Sequence, residues 1–322
     1  MKFILKYIII ISIFALVSCV SETDKNIINL NVTSSNDINV DDYIVIDDSL
    51  VLHVDDKLIS YKVQDVCMGD SSVFVLDVQK NIISFDKKSG IMKHAINKVG
   101  HGKGEYISPQ SICFSNGCLY VLDMQRSIVQ YDENLTFVRR IKLDCSGWDF
   151  LKIRNGFAIY TISSVILIDE NGKNQKSFSL DVEKIPQLFA SVKSFSRTDT
   201  GVYFVDFVSN VFYELKDNNL NPILKIEVGD EHSKESELER KIYSCFPYEG
   251  KYFTYYFSNR YLQGSIYDTT NKKSISGLFK SSSYPIMPYF ENKGFLYGIF
   301  PKINAYNKYV LIKYKVSQNH IK

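Results

Sequence analysis

The stretch that decides the fold is residues 99–132, VGHGKGEYISPQSICFSNGCLYVLDMQRSIVQYD. Asn116-Gly117 is a strong two-residue hairpin turn, because both central positions of such a turn need a positive φ. Residues 110–114, 119–123 and 127–131 are rich in β-branched and aromatic side chains, which predicts three antiparallel strands. The glycines that begin the stretch predict a crossing from one four-stranded unit to the next.

The second of these strands recurs along the whole chain. Similar runs end at Asp77, Asp123, Thr161, Asp206, Phe257 and Phe300, with a mean spacing of about 45 residues. A third strand, a polar turn and a fourth strand follow several of these landmarks. A unit of four strands cannot bury both of its faces alone, so the repeat predicts an all-β, six-bladed β-propeller with four antiparallel strands per blade.

The last unit lacks a fourth strand, because the chain ends soon after its third. Residues 43–54 are β-like and precede the first landmark, so we expect this N-terminal strand to complete the last blade and close the ring. The propeller then occupies residues 40–322. One segment, residues 231–241, is charged and compatible with a helix, which predicts an insertion between blades four and five.

The composition supports a large β domain. Of the 322 residues, 45% are hydrophobic, and 22 Tyr and 21 Phe are present, which is enough for a sizeable aromatic core. The net charge of +2 is spread evenly, so nothing predicts a nucleic acid partner.

The N-terminus predicts export. Lys2 and Lys6 precede an apolar run, residues 7–17, that is too short to span a membrane and typical of a signal peptide. The run ends in Leu16-Val17-Ser18-Cys19, which resembles the bacterial lipobox. Residues 1–19 are therefore predicted to be a lipoprotein signal peptide with Cys19 as the lipidated residue, and the polar residues 20–39 a flexible tether. The acidic residues after Cys19 resemble a Bacteroidota surface-export signal, so we expect a surface-exposed, outer-membrane lipoprotein in contact with the membrane through its lipid. Retention on the inner leaflet is the alternative.

Other chemical motifs are sparse. Five further cysteines show no metal spacing and are expected to be free thiols, and the five histidines are scattered over different units. Neither a nucleophile elbow nor a metal site is predicted. The recurrent aspartates at strand ends predict side-chain caps of turns.

The central stretch also carries a family resemblance. The run Gly100-x-Gly102-x-Gly104-Glu105-Tyr106, followed by Pro109 and Arg126, resembles an NHL-type repeat. More closely it is similar to the six-bladed β-propeller lipoproteins of Bacteroidota, whose signature is a G-x-G-P-G-E-[FY] loop. Lys103 stands where that family usually has proline. The resemblance implies a cell-envelope propeller and no particular reaction. Gly100, Gly102, Gly104 and Glu105 are predicted to build a structural turn, with the Glu105 carboxylate accepting backbone N–H groups.

A binding site is predicted on one face of the ring. Loops joining second to third strands, together with the crossings between blades, are expected to surround the mouth of the central channel. The predicted ligand-binding residues on this face are Lys80, Gln125, Arg126, Trp148, Arg197, Tyr248 and Arg260.

Three functions are compatible with this pattern. The first is a non-catalytic lipoprotein that binds a glycan, a peptide or a protein partner at the channel mouth. The second is a propeller hydrolase or lyase. No cofactor is predicted, although the second function leaves open a divalent cation at the mouth, which would need several converging oxygen ligands. The third is a structural subunit of an envelope complex.

Overall fold

The structure, a computed structural model, describes residues 27–32, 36–55, 58, 62–180, 193–228, 242–258, 261–280, 290–292, 294–302 and 308–317. Three strands precede the first repeat: β1 (Ile28–Val32), β2 (Asn36–Asn39) and β3 (Ile44–His53). A short 3-10 helix, Val40–Asp42, separates β2 from β3. Cys19 and residues 231–241 lie outside the described residues.

The repeats form six antiparallel sheets. The first three blades are β4 (Val63–Met68), β5 (Ser72–Asp77), β6 (Ile82–Asp86) and β7 (Met92–Ile96); β8 (Pro109–Ser115), β9 (Cys118–Asp123), β10 (Ser127–Asp132) and β11 (Phe137–Lys142); and β12 (Asp149–Ile153), β13 (Gly156–Tyr160), β14 (Ser164–Ile168) and β15 (Asn174–Ser179). The fourth and fifth are β16 (Phe195–Thr198), β17 (Gly201–Asp206), β18 (Val211–Lys216) and β19 (Asn219–Val228); and β20 (Ile242–Tyr248), β21 (Lys251–Ser258), β22 (Tyr261–Asp268) and β23 (Lys273–Lys280).

The sixth blade closes the ring. It contains β24 (Phe290–Asn292), β25 (Phe295–Pro301) and β26 (Lys308–Val316), and its outer strand is β3. The antiparallel register runs from Lys308 opposite His53 to Val316 opposite Ile44. The predicted fold is therefore confirmed: an all-β, six-bladed propeller with four antiparallel strands per blade, closed by an N-terminal strand.

The structure differs from the sequence expectation in residues 20–39. The second half of this predicted tether contains β1, which pairs in parallel with β19, and β2, which pairs in parallel with β23. Both therefore add a fifth strand to the outer edge of a blade. The reason is visible in Ile28-Asn-Leu30-Asn-Val32, whose alternation fits an edge strand with one buried face; Leu30 is only 4% exposed.

The core lies between neighbouring blades rather than within one sheet. One cluster, for example, joins Phe74 and Leu76 of blade 1 to Ile112, Leu119 and Val129 of blade 2. Tyrosine and phenylalanine rings fill these layers, as in the stacked pair Phe74–Phe114 at 5.4 Å. Each sheet thus buries its faces against the next blade, and this explains the aromatic composition.

Aspartates cap the turns that follow third strands, as predicted. The Asp86 carboxylate accepts the N–H groups of Lys88 and Ser89, and that of Asp169 accepts those of Asn171 and Lys173. These bonds satisfy backbone donors that a tight turn leaves without a strand partner.

Candidate functional site

Strand order determines which segments meet at each end of the ring. First strands of neighbouring blades contact one another, as β4 does β8 and β8 does β12, so these strands line the central channel. Because each blade is antiparallel, first strands begin, second strands end and third strands begin at the same end. We call this end the entry face, and the end that carries the turns between first and second strands the turn face.

Lys80 lies on the entry face but serves the scaffold. It stands in the loop between β5 and β6 with a φ of 68°, and its ammonium group donates to the carbonyl of Ile107 at 2.9 Å. The Tyr106 hydroxyl donates to the Lys80 carbonyl, also at 2.9 Å. Lys80 therefore fastens the loop of blade 1 to the crossing that leads into blade 2.

Gln125, Arg126 and Trp148 lie in adjoining segments of the entry face. Gln125 and Arg126 are exposed in the loop between β9 and β10, and Trp148 is 38% exposed just before β12. Two hydrogen bonds tie these segments together: Ser146 Oγ donates to the Met124 carbonyl at 3.1 Å, and Leu143 N–H donates to the Arg126 carbonyl at 2.8 Å. We call Gln125, Arg126 and Trp148 the rim patch.

Arg197 and Tyr248 do not lie where the sequence placed them. Arg197 pairs with Val202 near the end of β16, and Tyr248 pairs with Lys251 at the end of β20, so both belong to the turn face. The Arg197 guanidinium donates to the carbonyl of Lys152. The Tyr248 hydroxyl donates to the Gly294 carbonyl at 2.9 Å, and the side chain is buried. The sequence pattern predicts crossings between blades at Arg197 and Tyr248, whereas both residues lie near the ends of first strands. Arg260, the remaining predicted residue, lies outside the described residues.

The glycine loop is a packed crossing. The Glu105 carboxylate accepts the Gly102 N–H at 2.6 Å, and a Cβ at Gly100 would lie only 2.1 Å from that carboxylate. The Tyr131 hydroxyl donates to the Gly104 carbonyl at 2.7 Å. The loop is thereby held against the third strand of blade 2.

The sequence reading missed a polar cluster in the channel wall. Its members are Asp65, Ser111, Asp149, Lys193 and Ser194, which we call the channel cluster. Asp65, Ser111, Asp149 and Ser194 occupy equivalent positions in blades 1 to 4, since each lies twelve residues before the end of its blade's second-strand landmark. That constant spacing, an alternation of aspartate and serine, is the signal that could have found them.

Hydrogen bonds connect the channel cluster across four blades. Asp65 accepts from Lys193 Nζ at 2.7 Å, from Ile112 N–H at 2.7 Å and from Ser111 Oγ at 2.7 Å. Asp149 lies 2.6 Å from the same Ser111 hydroxyl and accepts the N–H groups of Ser194 and Phe195 at 2.7 and 2.9 Å. The cluster therefore joins inner segments of blades 1, 2, 3 and 4.

Burial controls the charges of the cluster. Desolvation is the largest effect on Asp149 and raises its pKa. The positive charge of Lys193 opposes this rise, and the negative charge of Asp65 adds to it. Burial alone would lower the pKa of Lys193, but the neighbouring carboxylates, Asp65 first, outweigh it and raise that pKa. Lys193 is therefore a charged group inside the channel.

Other reactive groups of the described chain are either inert or dispersed. Burial raises the pKa of Cys113 and of Cys245 to about 12, so these free thiols are poor nucleophiles. In the part of the chain that the structure describes, no three His, Cys, Asp or Glu side chains are grouped so as to hold a metal ion. The same residues contain no helix of sufficient length and apolarity to cross a membrane.

Comparison with known proteins agrees with this architecture. A family model described as 6-bladed beta-propeller matches residues 18–244. A candidate exported protein of Bacteroides fragilis is similar in structure, with a TM-score of 0.70 and 15% identity over 91% of this chain and 100% of the other. A Bacteroides vulgatus protein of another family has a TM-score of 0.50 and 11% identity over 86% of this chain and 99% of its own. No curated protein matches the sequence.

Proposed function

Starting from the fact that this chain belongs to the family of six-bladed β-propellers, we propose that it is a cell-envelope lipoprotein that binds a ligand at the entry face without catalysis. Its lipid anchor is Cys19, and its place is the outer face of the outer membrane. The signal-peptide pattern before Cys19 supports this address, as does the structural similarity to a candidate exported protein of Bacteroides fragilis. The glycine loop also supports this address, because its sequence resembles the loop of the Bacteroidota propeller lipoproteins.

The rim patch carries the proposal. Trp148 is the single tryptophan of the chain, and it is the one aromatic side chain among the large exposed hydrophobic residues of the described structure. In the cores between blades, by contrast, aromatic rings are buried against each other. An exposed indole in a segment that adjoins the loop carrying an exposed amide and an exposed guanidinium group is typical of a recognition site.

The chemistry of the rim patch favours an acidic glycan among the three ligand classes. An indole ring can cover the apolar face of a sugar, the Gln125 amide can exchange hydrogen bonds with hydroxyl groups, and the Arg126 guanidinium can hold a carboxylate or sulfate in a bidentate pair. Peptides and protein partners with an acidic side chain beside an apolar one are the next candidates.

The single tryptophan supplies the assay. We expect acidic oligosaccharides to change the fluorescence of Trp148 in the purified full chain, and neutral oligosaccharides and acidic peptides to do so less. Trp148→Ala and Arg126→Ala should each weaken binding about tenfold by calorimetry, since residues at the centre of a site cost this much on truncation. Arg154→Ala is the matched control, because Arg154 is exposed in the turn between β12 and β13 on the turn face.

Two results would reject the binding site. One is an unchanged affinity in both rim-patch variants, and the other is an equal loss in the Arg154 variant. The anchor is tested separately by labelling growing cells with a clickable fatty acid. Label should enter the chain, and Cys19→Ser should abolish the labelling and release the chain from the membrane fraction.

A further inference from the structure

The hydrogen bonds around Ser111 cannot all be made with both neighbouring carboxyl groups ionised. Ser111 Oγ lies 2.7 Å from Oδ2 of Asp65 and 2.6 Å from Oδ1 of Asp149. A hydroxyl group carries one proton and can donate to one acceptor only. Two ionised carboxylates would leave one short oxygen–oxygen contact without a hydrogen, in a site shielded from water.

The remaining contacts identify which carboxyl group holds the extra proton. Both oxygens of Asp65 are engaged as acceptors: Oδ1 by Lys193 and Val66 N–H, and Oδ2 by Ile112 N–H. In Asp149, Oδ2 accepts two backbone N–H groups, whereas the hydrogen bonds of Oδ1 described in the structure go to Ser111 alone. Every oxygen of Asp65 thus faces an N–H group, whereas Oδ1 of Asp149 faces only the Ser111 hydroxyl among the described contacts and can carry the proton.

We propose that Asp149 is a neutral carboxylic acid in the folded protein, at the head of a proton chain. Its Oδ1–H donates to Ser111 Oγ, the Ser111 hydroxyl donates to Oδ2 of Asp65, and the Asp65 carboxylate pairs with the Lys193 ammonium group. One negative and one positive charge then balance inside the channel. These hydrogen bonds make the stability of the ring depend on pH. The protonated Asp149 joins blade 3 to blade 2 by the hydrogen bond that it donates, and to blade 4 by the hydrogen bonds that it accepts.

The groups that face Asp149 support this assignment. They are Asp65 from β4, Lys193 from the segment before β16 and Tyr160, its partner on β13. Burial raises the pKa of the Tyr160 hydroxyl, so that group stays neutral beside Asp149. Loss of the Asp149 proton would place a second negative charge next to Asp65 with a single ammonium group to balance both.

The sign of the pH dependence follows. The pKa of Asp149 is raised in the folded chain, while in the unfolded chain it is about 4. The folded state keeps the proton over the interval between the two values, so the stabilisation is complete below the unfolded pKa and is lost as pH rises through the folded pKa. Asp149→Asn removes this slope, because an amide donates to Ser111 and accepts from Ser194 and Phe195 without titrating.

The experiment compares Asp149→Asn with Asp65→Asn in the full chain. We expect Asp149→Asn to change the ratio of folded to unfolded chain by less than about threefold below about pH 4, and to raise it above that of the wild type near neutral pH, because only the wild type must then take up a proton on folding. Asp65→Asn should lower the ratio about 100-fold or more, because it leaves Lys193 buried without its partner. The infrared difference spectrum between the wild type and Asp149→Asn should contain the carbonyl stretch of a protonated carboxyl group near neutral pH. This infrared measurement uses only the wild type and Asp149→Asn, so it tests the proposal even if Asp65→Asn does not fold.

A spectrum without that band would overturn the proposal, and so would an Asp149→Asn variant as unstable as Asp65→Asn. A pH profile of stability that runs parallel in the wild type and Asp149→Asn between mildly acidic and neutral pH would also contradict it.

Discussion

The ammonium nitrogen of Lys193 lies 2.7 Å from Oδ1 of Asp65, and this ion pair connects the segment entering blade 4 to the first strand of blade 1. Blades 1 and 4 stand opposite each other in a ring of six, so the pair spans the central channel. Both side chains are largely shielded, with 12% and 4% of their surface exposed. Charged groups therefore connect blades 1 and 4 across the channel, whereas the cores between neighbouring blades are apolar.

Removing one partner of this pair should be costly. We expect Lys193→Met to lower the free energy of unfolding by roughly 3 kcal/mol, because it leaves the Asp65 carboxylate buried without its counter-ion. Lys176→Met is the matched control, since Lys176 is exposed and its ammonium group, which donates to Asn219 and lies over the Phe178 ring, has no charged partner among the contacts of the described residues. Urea denaturation measures both variants. Equal midpoints for the two would show that the Lys193 pair contributes no more than a surface contact.

Ring closure makes the N-terminal strand β3 part of the sixth blade. Leu52 is fully buried in the cluster that contains Leu311 and Val66, so Leu52→Ala should cost about 3 kcal/mol, the usual cost of a buried leucine truncation. Ser49→Ala, an exposed position of the same strand, should be neutral. Denaturant titration of both variants tests whether the strand is an integral part of the ring; a neutral Leu52→Ala would argue that the last blade is stable without it.

The fold was accessible from the sequence because its signals are local. The landmark Leu119–Asp123, the Asn116-Gly117 turn and the aspartate caps each depend on a few adjacent residues, and their recurrence gave the number of blades. The closing strand followed from the missing fourth strand of the last unit. By contrast, the asparagines of β1 are typical of a polar tether, and they hide the alternation of Ile28, Leu30 and Val32 that is typical of a strand.

The site was less accessible, because its members come from different blades. Gln125, Arg126 and Trp148 could be placed on one face, since the face depends on strand direction alone. Arg197 and Tyr248 were assigned to the wrong end, because strand boundaries are set by pairing partners that one repeat does not reveal. Lys193 was missed entirely: its role depends on Asp65, which is 128 residues away in the chain.

The fifth strand on blade 4 makes a prediction about the N-terminal segment. Leu30 packs among Leu224, Ile226 and other residues of a core cluster, so Leu30→Ala should lower the free energy of unfolding by about 2 kcal/mol. Asn39→Ala, an exposed position of β2, should change it little. Native-state hydrogen exchange should also show slow amides in residues 28–32. Fast exchange there, with no effect of Leu30→Ala, would restore the interpretation of this segment as a tether.

The glycine loop offers a test that separates backbone strain from steric overlap. Gly104 and Gly117 have nearly the same φ, 75° and 71°, but a Cβ at Gly104 would lie 2.8 Å from atoms of the Phe137 side chain, whereas a Cβ at Gly117 would meet no atom within 4 Å. Gly117→Ala should therefore cost about 1 kcal/mol for the left-handed backbone alone. Gly104→Ala should cost that amount and about 1–3 kcal/mol more, because the loop or the Phe137 ring must move. The difference between the two urea midpoints measures how tightly the crossing is packed on blade 2, and equal midpoints would mean that the loop yields freely.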